Sequence, residues 1–343
     1  MKITKKTNLV AILFIFLLIL CLTARLKNDV HTETVLGAMD TVSKITVISK
    51  SDAKSLVSEC KNIINRYDEL FSISKPKSDF YKINNLSQTV VVSQDTIDIV
   101  SKCEEFYNLS EKRFDITGGT LYKLWSDAIK NEQLPEDNTI KEAMEYTGFN
   151  TLLIERNNSA ITKKQPQQQL NAGAVAKGYI TDKINEYLKT TNASGALVDL
   201  GGNILAYGKK NNKTPWNIGI STPKNDGKIL LSLSLSDKFV ITSGNYQRYF
   251  DVNSTRYHHI IDATTGYPAK SELKSVTIIC DNGFLGDALS TVCFLSGLTK
   301  GIEIAKIYGV SAVFVTDTNT VFYSGDILPI MDNKNPDYSF CEF

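Results

Sequence analysis

The chain has 343 residues, with 38 Lys+Arg against 37 Asp+Glu and a formal net charge of +1. Such a balance lacks the basic excess of a nucleic-acid-binding protein, so no nucleic-acid partner is expected. A hydrophobic share of 42% and a charged share of 22% are those of a globular chain with a large core, enough for one large domain or two small ones.

Taken in order, the chain opens on Lys2, Lys5 and Lys6, followed by an unbroken apolar run over residues 9–22. A basic start and an apolar stretch of that length are the pattern of a signal peptide or short membrane anchor. Residues 1–24 are therefore assigned to it, with cleavage after Ala24 or retention both open. Cys21 invites lipidation, but Leu20 before it is larger than a lipidation site wants. The body of the protein is expected outside the cytoplasm, anchored or released at the outer face of the membrane. The other five cysteines, Cys60, Cys103, Cys280, Cys293 and Cys341, form no C-x-x-C pair and read as small core residues.

Residues 25–34 read as a polar linker, and residues 35–47 alternate like a first strand. Residues 53–71 carry apolar side chains at helical spacing. Pro76 breaks a loop over residues 71–79. A short strand at residues 90–92 precedes a helix from Asp95 to Leu109. The double glycine Gly118-Gly119 sits in a loop that leads into a helix. Residues 140–147 read as helix, and residues 151–155 with 160–162 as a hairpin. The run Asn171-Ala172-Gly173-Ala174-Val175-Ala176-Lys177 precedes a helix. Small residues, one lysine and a helix N-terminus suit an anion, although a close helix-to-sheet packing turn fits the same residues. Two strands flank Gly201-Gly202, and more strands and two helices complete the chain. Residues from Asp332 read as a polar tail. Continuous mixing of helices with antiparallel-looking strands argues for one α+β unit.

The densest chemistry lies over residues 241–291. Two of the chain's three histidines, His258 and His259, stand side by side there, and histidine is the side chain most readily used as a base near neutral pH. Neighbours on a strand point to opposite faces, so spacing alone does not choose between them. Asp287 and Thr291, four apart on a helix, share one face and form a hard-cation pair or a simple packing pair.

Six ordered motifs unite these stretches: residues 38–41; Phe114-Asp115-Ile116-Thr117-Gly118-Gly119; residues 170–179; Val198-Asp199-Leu200-Gly201-Gly202-Asn203; Thr242-Ser243-Gly244 with His259-Ile260-Ile261-Asp262; and residues 287–291. Over most of residues 35–325 the chain resembles the FAD:protein FMN transferase family, the ApbE-like flavin transferases. The resemblance implies a single α+β domain of mixed, largely antiparallel sheet with flanking helices. It also implies binding of FAD with Mg²⁺, transfer of FMN to a Thr or Ser hydroxyl of a partner protein, and release of AMP. The implied partner is a flavoprotein acceptor, such as an outward-facing subunit of a membrane redox complex. By the same resemblance, Asp287, Thr291 and the Ala174 carbonyl would hold Mg²⁺, and His259 would take the acceptor's proton. Met39, Ser74, Arg113, Phe114, Asp115, Asn171, Lys177 and Ile260 fall at FAD-contacting positions.

Three positions depart from the family pattern. Asn171 and Asp40 stand where many relatives have Asp and Gly. Ser74 stands where many have an aromatic ring, whose loss would open the flavin side to water. Two other readings therefore stand beside transfer: an FAD pyrophosphatase yielding FMN and AMP, and a membrane-tethered FAD carrier without chemistry. The domain boundaries expected are 35–328 for the transferase unit and 329–343 for a polar tail.

Overall fold

The computed structural model describes residues 29–86, 89–210 and 213–343. The signal or anchor segment 1–24, Cys21 and the first residues of the linker lie outside the described residues.

A nine-stranded sheet forms the middle of the molecule, and its strands follow one another in space in chain order. We number them β1 (Asp29–Leu36), β2 (Val42–Ser49), β3 (Ala193–Leu200), β4 (Asn203–Gly208), β5 (Lys238–Gly244), β6 (Leu273–Cys280), β7 (Ser311–Thr316), β8 (Thr320–Tyr323) and β9 (Ser339–Glu342). All neighbours are antiparallel except β8 and β9. The central strands are apolar on both faces because both faces are covered. Phe239, Ile241, Val276, Ile278 and Phe314 join the large core beneath the helices. Their alternates Val240, Ile279, Val313 and Val315 join a second core under a small sheet formed by Trp216–Ser221, Ile229–Leu235 and Met331–Asp332. Side chains two apart share a face, so one strand feeds both cores.

The α-helices of the described residues are α1 (Ala53–Phe71), α2 (Asp79–Asn85), α3 (Gln94–Leu109), α4 (Gly119–Asn131), α5 (Asp137–Glu145), α6 (Ala176–Lys189) and α7 (Gly283–Ile307). Each of α1, α2 and α3 starts on a side-chain cap, from Asp52, Ser78 and Ser93 respectively. Helix α7 is apolar all round because it is a core helix; Phe284, Ala288, Leu289, Val292 and Phe294 are buried. It breaks at Gly297 (φ 77°), and Leu298 N donates to Glu272 Oε1 at 2.8 Å to start the second half.

Helices α6 and α7 approach backbone to backbone at Gly178 and Gly283. A Cβ on Gly178 would collide with the carbonyl oxygen of Gly283 and lie 2.7 Å from Asp287 Cβ. The start of α7 is held by Asp182 of α6, which accepts from Gly283 N at 2.6 Å and Phe284 N at 2.8 Å. Aligned amides at a helix N-terminus favour a carboxylate in this place.

Four expectations are corrected. The linker 25–34 gives way from Asp29 to strand β1, whose partner is β2, so residues 35–47 are a strand end, a turn and a second strand. Polar side chains on this exposed strand hide it from hydrophobic pattern reading, since one edge and most of one face meet solvent. The tail 329–343 is part of the fold: Met331 pairs with Leu233, and β9 adds parallel to β8. Phe343 packs its ring 5.8 Å from Phe314. The loop 71–79 runs straight into α2, which sequence reading passed over because it is only 7 residues long. Helix α3 starts one residue earlier than expected, at Gln94, capped by Ser93.

Candidate active site

Antiparallel order places alternate turns at one end of the sheet. Ser43 of β2 lies opposite Leu200, Leu200 opposite Asn203, and Asn203 opposite Ile241, two residues before Ser243. That end therefore gathers the β1–β2 turn with Met39, the Gly201-Gly202 turn and the end of β5. Asp199 Oδ1 accepts from Gly202 N at 2.8 Å and fixes the glycine turn. Gly201 has φ 59° and lies so close to Thr41 that a Cβ would strike the Thr41 hydroxyl.

The N-terminal turn of α6 forms the floor. Asn171 N donates to Ile116 O at 2.7 Å, tying this turn to the 113–119 loop. Asn171 Oδ1 accepts from Gly173 N at 2.8 Å. Lys177, in the first turn of α6, donates to Gly173 O at 3.4 Å and stands 3.9 Å from Asp287 Oδ2. Asp287 is buried and also accepts from Gly178 N at 2.9 Å. Burial raises its pKa, opposed by Lys177, the Asn203 side chain and the Gly178 amide. One long ion pair compensates a buried carboxylate poorly. A divalent cation would supply what is missing.

Thr291 lies one turn after Asp287, as the helical spacing required. Its Oγ1 is 3.1 Å from Ser243 Oγ, which is itself 2.8 Å from Ser290 Oγ. Asn203 Oδ1 is buried with no hydrogen-bond partner, beside Asp287. One carboxylate, a hydroxyl and the partly exposed Ala174 turn are hard oxygen donors, and an orphaned amide oxygen sits next to them. This set fits Mg²⁺, which takes few protein ligands and leaves the rest to water and phosphate. Among the described residues, no cluster of three His, Cys, Asp or Glu offers a softer metal a home.

The two histidines divide their roles by partner. His258 is buried; its Nε2 lies 3.1 Å from Ala269 O, and its Nδ1 accepts from Ile260 N at 3.2 Å. Both nitrogens are committed to backbone, with the proton on Nε2, and burial lowers the pKa to about 4. His259 Nδ1 lies 3.3 Å from Arg248 O. A carbonyl only accepts, so Nδ1 carries the hydrogen and Nε2 keeps its lone pair. His259 is exposed at the surface, with protein packed around its ring on the other sides. Poor solvation of charge there, and then the neighbouring His258, push its pKa down to about 4; Lys177 adds to the fall. Lys177 thus ties the α6 N-terminal turn to Asp287.

His258 and His259 end a hairpin, Tyr249–Val252 with Thr255–His258, that docks on α4 and α5. Trp125 stacks on Tyr257 (5.8 Å, 10°) and donates from Nε1 to Gly266 O at 2.7 Å. The helix after Gly118-Gly119 therefore positions the base.

Met39 has φ 54°, a left-handed conformation rare for a non-glycine residue. Its N–H donates to Asp68 Oδ1 at 2.8 Å, and Asp68 Oδ2 pairs with Lys75 at 2.6 Å. Asp68 thereby ties the Met39 turn to the segment after α1, where exposed Ser74 donates its N–H to Ser72 Oγ at 3.2 Å. Asp68 was missed in the sequence because it reads as an ordinary polar position on α1.

Three positions expected to contact FAD turn their side chains inward. Phe114 is 2% exposed and packs on Phe106; Ile260 is 6% exposed. Asp115 is 2% exposed and accepts from Thr117 N at 2.8 Å and Thr117 Oγ1 at 2.7 Å. Burial raises the Asp115 pKa to about 6 against those hydrogen bonds. Their side chains shape the walls of the site, and only Arg113 of that segment reaches outward, 3.8 Å from Asp262 and 3.1 Å from Leu295 O.

With this geometry in place, the comparisons with known proteins are direct. The chain belongs to the ApbE family, whose sequence model matches residues 39–314. It is 30% identical over 278 residues to the FAD:protein FMN transferase of Klebsiella pneumoniae (strain 342), covering 80% of this chain and 86% of that one. It is 31% identical over 325 residues to the FAD:protein FMN transferase of Treponema pallidum (strain Nichols), covering 89% of each. Its fold superposes on the crystal structure of the ApbE protein of Thermotoga maritima with a TM-score of 0.81 at 29% identity, over 88% of this chain and 99% of that one. The α+β fold, with its large and mostly antiparallel sheet, is that of the ApbE structures.

Proposed function

We propose that the protein is a Mg²⁺-dependent FAD:protein FMN transferase acting on a Thr or Ser hydroxyl of a partner protein, with AMP as the leaving product. The observation that carries this reading is buried Asp287, 3.9 Å from Lys177 at the α6 N-terminus and one helical turn before Thr291. A base, a cation and an under-compensated carboxylate suit displacement at phosphorus. Named curated relatives over four-fifths of the chain support the same reading.

His259 Nε2 would accept the proton of the acceptor hydroxyl. The hydroxyl oxygen bonds to the FMN-side phosphorus, the bond from that phosphorus to the bridging oxygen breaks, and AMP leaves with the bridging oxygen. Asp287, Thr291 and the Ala174 carbonyl would hold Mg²⁺, which neutralises charge on the diphosphate. Lys177 and the α6 N-terminus favour the anion from the other side. Asn171 and Arg113 hold the two neighbouring loops, and Met39 offers a soft apolar surface for a ring.

Ser74 supports a minor hydrolytic path. It is exposed and carries a short hydroxyl in place of a ring, so water would have access and some FAD would yield free FMN and AMP. Residues 1–24 would export the protein, tethering it at the outer face of the membrane when retained and releasing it there when cleaved after Ala24. The acceptor would then be an outward-facing subunit of a membrane redox complex.

The test incubates the protein with FAD, Mg²⁺ and such a subunit and follows AMP and free FMN by chromatography. Transfer predicts AMP in excess of free FMN by the amount of flavin bound covalently to the subunit. Equal AMP and FMN would establish a hydrolase, and unchanged FAD a carrier.

A further inference from the structure

The strands that gather the catalytic turns at one end of the sheet also share the opposite end. Strand β2 runs from Val42, beside the Met39 turn, to Ser49, which lies opposite Asp29 and Ala193. Strand β4 runs the same way, from Asn203 to Gly208, opposite Gly195. Eight residues of β2, at about 3.4 Å each, set the two ends about 25 Å apart.

This far end is basic. Lys50 follows β2, Lys54 lies in the first turn of α1, Lys189 closes α6 before β3, and Lys209 and Lys210 follow β4. All five are exposed, and none forms an ion pair among the described residues. The carboxylates beside them have partners and offset only part of the charge. Asp29 accepts from Ala53 N at 2.7 Å, Asp52 from Ser55 N at 3.1 Å and Asp237 from Gly208 N at 2.7 Å, while Asp281 pairs with Lys238. The whole chain carries only +1, so lysines gathered at one end give the molecule a directed field.

The chain also enters at this end. Asp29 opens β1, and only residues 23–28, with Arg25 and Lys27 among them, separate it from the apolar run 9–22. That span reaches at most about 20 Å. A retained anchor therefore brings the basic end to the lipid before the catalytic end.

We propose that the sheet end bearing Lys50, Lys209 and Lys210 rests on anionic lipid headgroups, with the catalytic end facing away from the bilayer. The inference rests on reading residues 1–24 as an anchor, which supplies the tether; the lysines supply the orientation. Lysines spread over several turns match a plane of phosphodiesters, and each one near such a plane favours the docked state about fivefold. An acceptor must then present its hydroxyl about 25 Å above the headgroups, one strand length out.

The chain's two tryptophans report this orientation. Trp216 donates from Nε1 to Tyr207 O, near the basic end, and Trp125 stacks on Tyr257 in the hairpin beyond the catalytic end. The full chain is reconstituted in vesicles of phosphatidylcholine and phosphatidylglycerol carrying a dansyl lipid, and energy transfer from tryptophan to dansyl is measured. W125F, which keeps Trp216, should transfer strongly, and W216F, which keeps Trp125, weakly. K209Q/K210Q in the W125F chain should lower the docked-to-undocked ratio about 25-fold, a factor of about five for each charge. Its transfer should then match that of the W125F chain in phosphatidylcholine alone. Because each tryptophan variant removes a buried ring, the unaltered chain is measured too, and K209Q/K210Q or added salt should lower its total transfer. Equal transfer from both tryptophans in inserted chains, unchanged by K209Q/K210Q, would overturn the docking and leave the anchor intact. A chain that joins vesicles only when they hold phosphatidylglycerol, and transfers from Trp216, would keep the docking and overturn the anchor. A chain that joins neither kind of vesicle would overturn both.

Discussion

Two adjacent histidines differ because one backbone amide and two carbonyls face them differently. His258 is held neutral by burial, with Nδ1 accepting from Ile260 N and Nε2 donating to Ala269 O, and His259 keeps a free Nε2 because its Nδ1 hydrogen goes to Arg248 O. H259A should therefore abolish flavin transfer while FAD still binds, read by fluorescence titration against a transfer gel. The pKa shift of His258 carries a stability consequence. Its folded pKa of about 4 lies below the ordinary 6.5, so the unfolded chain binds the extra proton. Stability is present above pH 6.5 and lost as pH falls toward 4. Chemical denaturation at pH 7 and pH 5 should show the parent losing about 2 kcal/mol more than H258Q, from the 1.36 kcal/mol of one pKa unit. Equal losses would contradict the neutral tautomer. A third residue-scale expectation concerns Ser74: S74Y should lower free FMN released from FAD plus Mg²⁺, measured by chromatography, by closing the flavin side with a ring. The sequence pointed at His259 only through family resemblance. Nothing in the spacing of two neighbours tells which one the backbone will occupy.

At the scale of elements, the site depends on how closely α6 meets α7. Gly178 has Gly283 O and Asp287 Cβ where a side chain would go. G178A should force the helices apart, destabilise by about 1–3 kcal/mol, and weaken Mg²⁺ binding by displacing Asp287. Calorimetry of unfolding and of Mg²⁺ binding with FAD present checks both. Helix α1 was legible because its apolar side chains recur at helical spacing, and α7 and the central strands because they are continuously apolar. Strand β1 and strand β9 were not, for a shared physical reason: each lies at a sheet edge and shows polar residues to solvent. Removing β9 by truncation after Pro336 should lower Tm and expose the Phe314 side of the core, seen as increased dye binding. An unchanged Tm would return residues 337–343 to the status of a tail.

At the scale of the whole molecule, a sheet whose strands lie in chain order turns distant motifs into neighbours. Met39, Asn203 and Ser243 are far apart in sequence and share one end of the sheet because every second turn falls there. The order of the motifs was readable. Their convergence was not, since it depends on register between strands of which one edge is polar. The same arrangement explains why Phe114, Asp115 and Ile260 carry family signals with buried side chains: they fix the loops that carry Arg113 and His259.

The central claim is that Lys177, Asp287 and His259 form one transfer site. The most direct measurement is intact-mass spectrometry of an outward-facing redox subunit after incubation with the protein, FAD and Mg²⁺. The account predicts a subunit heavier by one FMN, with the gain lost on chelation, in D287A and in H259A. A subunit of unchanged mass while FAD is consumed, or an FMN gain that survives in D287A and H259A, would contradict it.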